Sequence, residues 1–155
     1  MKGLIGTMIA AVVGLALVAA PSAGRAQGAM DLDKVELMLH GVTAVYTSTV
    51  MAMNAYRSGL LTKDEAVTEI ARNEAFLVVL AKCGRKLERE AAPDEHEDIS
   101  FAQDFVQVCN YLQFAIESFT TFVSEGNELD RKLFDRYLSK GEETMDRLLK
   151  EFSGG

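Results

Sequence analysis

From Asp31 onward, apolar residues recur at alternating steps of three and four, the spacing that gathers them on one side of an α-helix. The first run predicts a helix over about 31–58, with Val35, Met38, Val42, Val45, Thr49, Ala52 and Tyr56 turned inward. Gly59 ends it. Thr62-Lys63-Asp64-Glu65 then has the form of a capping box, in which the hydroxyl and the carboxylate each take up a free amide. A second helix over about 62–91 carries Ile70, Asn73, Phe76, Leu80, Cys83 and Leu87 in register. The third, over about 100–125, has the cleanest pattern: Ala102, Phe105, Cys109, Leu112, Ile116, Phe119 and Val123 follow the seam spacing of a bundle. Ser100 is its expected cap. Glu125-Gly126-Asn127 makes the last turn, and a fourth helix over about 128–152 points Leu133, Tyr137, Gly141, Met145 and Leu148 inward. Long helices with short connections predict an all-α fold, an antiparallel up-down-up-down four-helix bundle.

The first residues do not belong to that pattern. Lys2 precedes an uncharged, largely apolar run of 17 residues, Leu4–Ala20, which Pro21 and Ser22 break. Gly24-Arg25-Ala26 then sets small residues at the −3 and −1 positions of a cut before Gln27, so residues 1–26 are expected to be a cleaved secretory signal peptide and 27–155 the bundle. The apolar core is short for a membrane span, which needs about 20 residues. The expected location is the periplasm or the exterior, with no membrane span once the signal is removed. Cleavage takes away Lys2 and Arg25 and no acid, moving the net charge from −7 to −9. A surface so acidic repels phosphate backbones and anionic lipid, which sets aside nucleic acid and membrane surfaces as partners.

Residues 92–99 connect the second and third predicted helices, and His96 sits there among Asp94, Glu95, Glu97 and Asp98. Pro93 bars a helix, and the acids lack the glycine and spacing of a calcium loop, so the stretch is expected to be a solvated tip. In an antiparallel hairpin, residues equidistant from the turn lie side by side. Cys83 and Cys109 are equidistant from position 96, and both fall on the expected inward seams. In an oxidising compartment that placement predicts a disulfide between them. The same arithmetic brings Met38 and Met145 toward their level. Two thiols and two thioethers in one layer would suit Cu(I), so Met38, Cys83, Cys109 and Met145 form an alternative copper set, with no cofactor as the main expectation. Gly41, Gly84 and Gly141 lie inside predicted helices near this layer, where each costs about 1 kcal/mol relative to alanine. Close helix approach or a small ligand pocket would account for them.

Other chemistry finds little support. Covalent c-type haem needs Cys-x-x-Cys-His, which is absent. Di-iron carboxylate bundles need Glu-x-x-His motifs on inward faces, and neither histidine of the chain sits in one. Glu36 and His40 form an i, i+4 pair of the kind found on surfaces. No serine or threonine has a histidine placed to activate it. An enzyme is not expected.

What is left over is apolar surface. Phe76-Leu77-Val78-Val79-Leu80-Ala81 is apolar all round, more than one buried stripe requires. The third helix has a second apolar row beside its seam, including Tyr111. Such excess marks an interface, and Phe76, Val79, Tyr111 and Phe114 are the residues expected to carry it. The sequence therefore points to an exported, non-catalytic interaction protein, paired with a second copy or another exported protein. The alternative is a periplasmic carrier of copper or a small apolar ligand in the bundle core.

Overall fold

A computed structural model describes residues 32–153, and residues 1–26, on which the signal-peptide expectation falls, lie outside them. The described residues form four helices: α1 (Leu32–Arg57), α2 (Lys63–Glu90), α3 (His96–Glu125) and α4 (Glu128–Ser153). Consecutive helices pack side by side as a bundle, with α3 in extensive contact with both α2 and α4. Each contact pairs the later part of one helix with the earlier part of its neighbour. Ser48 and Thr49 meet Asn73, Glu88 meets Gln103, and Asp104 meets Arg147. α1 closes against α4 through a thinner set of contacts, in which the Thr43 hydroxyl donates to the Met145 sulfur at 3.5 Å and Arg57 reaches Asp135 at 3.4 Å.

Local chemistry sets the turns. Gly59 ends α1 at φ +72°, a backbone state open to glycine without strain. There Leu60 N–H donates to Ala55 O and Gly59 N–H to Tyr56 O, the paired bonds of a Schellman motif. The Thr62 capping box forms as expected, with Glu65 N–H bonded to the hydroxyl and Thr62 N–H bonded to the Glu65 carboxylate. Gly126 ends α3, also at φ +72°. The Asn127 side-chain oxygen accepts from Leu129 N–H at the start of α4.

The α2–α3 connection is shorter than the expected 92–99. Pro93 occupies a turn closed by Glu95 N–H on Ala92 O, and the Glu95 carboxylate accepts from Ala92 N–H at 2.6 Å. With the turn complete at Glu95, α3 starts at His96, one turn before Ser100, so the Ser100 cap is not used. Glu97 and Asp98 then fall in the first turn, where the positive helix end favours them.

Burial follows the predicted seams on α1 and α3. Val35, Met38, Val42, Val45, Thr49 and Ala52 are buried, as are all seven expected residues of α3. Tyr56, Phe119, Phe122 and Phe134 make edge and tilted ring contacts that tie α1, α3 and α4 together near the two glycine-capped turns. On α2 the buried line is Ala66, Ile70, Asn73, Leu77, Leu80, Ala81 and Gly84, one position away from the expected Phe76 and Cys83. On α4, Phe134 takes the deep position expected of Leu133.

Candidate functional site

The shift on α2 decides the cysteines. Cys83 and Cys109 are both free thiols, so the expected disulfide is not made. Their level is right, since Gly84 lies against Val106 and Phe105 of α3. Their orientation is not: Cys109 is buried, whereas Cys83 is exposed, because Leu80, Ala81 and Gly84 take the inward positions around it. Burial pushes the Cys109 thiol up to about 12, partly opposed by the nearby Arg85 charge. A thiol held in that state is inert.

The same phase removes Cys83 from the proposed sulfur layer. Met38, Cys109 and Met145 are buried, but Cys83 is outside, and the Met145 sulfur already accepts the Thr43 hydroxyl. The four sulfurs do not converge. Among the described residues no group of three or more His, Cys, Asp or Glu is placed to hold a metal ion, the acidic stretch around His96 included.

The helix glycines serve close approach. A Cβ added at Gly41 would meet Leu80, at Gly84 Val106 and Phe105, and at Gly141 Leu112. Neighbouring side chains therefore fill the space that the ligand-pocket alternative required. The surface hollows with the best definition are open and each lined by one helix: Glu143, Asp146, Arg147, Lys150 and Glu151 on α4, and Lys82, Arg85, Glu88 and Arg89 on α2.

Between α1 and α2 lies a buried polar contact that the sequence pattern did not single out. The Asn73 amide donates to Ser48 Oγ at 3.2 Å and to Thr49 Oγ1 at 3.1 Å, with Thr49 fully buried. A buried amide pays its desolvation only when these bonds form, so it fixes the register of α1 on α2. Toward α4, the Tyr46 phenol is raised to about 12, by partial burial first and then by its hydrogen bond to Glu142.

The expected interface residues part company. Phe76 is half-buried and turned toward Gly41 of α1. Val79 is 52% exposed on the outer side of α2, beside Val78. Tyr111 and Phe114 lean toward α4: the Phe114 ring lies 5.3 Å from Tyr137, and Lys140 sits over the Tyr111 ring at 5.5 Å. Phe76 is thus turned to α1 and Tyr111 and Phe114 to α4, so the four do not form one face.

Comparison with family models, curated sequences and solved structures finds no match. Function must then be argued from the surface. Exposed large apolar residues lie on every helix but are unevenly set: Leu37 and Met51 on α1, Val78 and Val79 on α2, Phe114 on α3 and Leu129 on α4. On α2 they adjoin a basic strip of Arg72, Lys82, Arg85, Lys86 and Arg89, whereas on α1 no Asp, Glu, Lys or Arg occurs between Glu36 and Arg57. No helix among the described residues is long and apolar enough to cross a membrane.

Proposed function

We propose that the chain is an exported, non-catalytic helical bundle that acts by binding protein surfaces, as an adaptor, sensing or structural module of the cell envelope. In this reading residues 1–26 are removed as a signal peptide and the helices run up-down-up-down. The observation that carries it is the apolar surface left on outer faces of a bundle whose core is already filled: Leu37, Met51, Val79 and Phe114 are each about half exposed or more. Large apolar side chains left outside a filled core mark interaction sites where they gather on one face. The partner is a second copy or another exported protein.

The test is site-specific photo-crosslinking in the producing cell, with the reactive side chain at Leu37, Val79 or Phe114 and, as a control, at the exposed Lys132. The reading expects a discrete protein adduct from at least one apolar position and none from the control. Equal, diffuse labelling at all four positions would remove it.

A further inference from the structure

The outer face of α1 consists of Leu37, His40, Ala44, Thr47, Met51 and Asn54, all exposed. Their spacing is the alternation of three and four that makes a helix–helix seam. The face lies within a stretch of 20 residues, Leu37–Tyr56, without a formally charged side chain, on a chain whose net charge is −7. Two copies of so acidic a protein repel each other over most orientations. A neutral face is where they meet at least cost.

The face is also self-complementary. Leu37 and Met51 are equidistant from Ala44. An antiparallel second copy centred on Ala44 therefore sets Leu37 against the second copy's Met51, Ala44 against Ala44, and His40 close to Thr47 and Ser48. The small side chain at the centre lets the helices approach, with the larger apolar groups on either side. The formal charges of α1 lie beyond the two ends of the Leu37–Tyr56 stretch: Asp33, Lys34 and Glu36 precede it, and Arg57, which pairs with Asp135 of α4, follows it.

We propose that this face binds a second copy of the chain through an isologous, antiparallel α1–α1 contact with its two-fold axis at Ala44. The proposal rests on the interaction reading above and names its partner. The face extends about 26 Å from Leu37 to Asn54 at 1.5 Å per residue. At roughly 10 Å wide it covers a few hundred Å² per copy, below the ~800 Å² typical of stable complexes. The dimer is accordingly weak and concentration-dependent.

The test has two arms, both on the full protein as recovered from the exported fraction. Sedimentation velocity over a wide concentration series should show reversible dimerisation that Leu37→Glu weakens at least tenfold while the helical circular dichroism is unchanged. In a Cys83→Ser background, a short bis-maleimide should join Ala44→Cys chains to each other. Leu37→Cys and Met51→Cys chains should link poorly alone and efficiently when mixed. A dimer indifferent to Leu37→Glu, or Ala44→Cys chains that fail to link to each other, would overturn the proposal. A monomer at every concentration would also overturn it. If photo-crosslinking from Leu37 then captured a different protein, the interaction reading would survive without the second copy, and if no apolar position gave an adduct, both would fall.

Discussion

Replacing Gly84 with alanine sets two effects of opposite sign against each other. In a helix interior the change should stabilise by about 1 kcal/mol, because glycine loses more backbone freedom on folding. Here the new Cβ would lie 2.8 Å from Val106 Cγ2, 3.0 Å from Phe105 Cδ1 and 3.6 Å from the Ala102 carbonyl. Val106 is β-branched and stiff at χ1, and Phe105 has no exposure, so neither side chain yields without moving α3. Overpacking of that kind costs about 1–3 kcal/mol. The net expectation is destabilisation by about 1 kcal/mol, a fall in Tm of roughly 4 °C for a domain of this size. Urea unfolding followed by circular dichroism would measure it. A cycle with Val106→Ala isolates the cause: removing Cγ2 should relieve the Gly84→Ala cost, giving a coupling of about 1–2 kcal/mol. At Gly41 and Gly141 the nearest atoms are the tips of Leu80 and Leu112, at 3.1 and 3.2 Å. These tips can turn aside, so alanine there should cost less than at Gly84. If Gly84→Ala stabilised the protein by the full helix-propensity gain with no coupling to Val106, the close α2–α3 approach would be refuted.

Three further outcomes follow from the same contacts. A thiol reagent at mild pH should label the native protein once, at Cys83, and twice after denaturation; two native labels or none would contradict the placement of the cysteines. Because the folded state holds the Cys109 proton up to about 12, whereas an unfolded thiol loses it near about 8.5, the stability it contributes is complete below the unfolded value. That contribution falls as pH rises through the window between the two, so Cys109→Ala should flatten the alkaline loss of stability seen in melts from neutral pH upward. Asn73→Ala should cost about 1–3 kcal/mol, since it removes the donor shared by Ser48 and the buried Thr49, and an unchanged melt would show that the amide does not set the α1–α2 register.

Much of the fold was legible because its signals are local. The capping box at Thr62, the glycines at 59 and 126 and the unbroken seam of α3 each specify their own geometry within a turn or two. The α2 phase was harder for a physical reason. Phe76–Ala81 is apolar on every side, so periodicity gives no sharp minimum there, and a one-position slip turned Cys83 from core to surface. The early start of α3 was hidden for a different reason, since the Glu95 side chain closes the Pro93 turn in place of the better-known Ser100 cap. The α1 face was missed although its signal is in the chain: the stretch between Glu36 and Arg57 has no formal charge, but only the packing tells which of its residues stay outside. The apolar runs of α2 and α3 pointed elsewhere, to residues that the packing sets apart from one another.

The measurement that bears most directly on the central claim is the native mass of the protein as recovered from cells, compared with its denatured intact mass. The expected chain begins at Gln27, is free of non-protein mass and has both thiols reduced, and its native mass is increased only by whole protein chains. A monomer carrying extra mass that is lost on denaturation would contradict it and make the bundle a carrier.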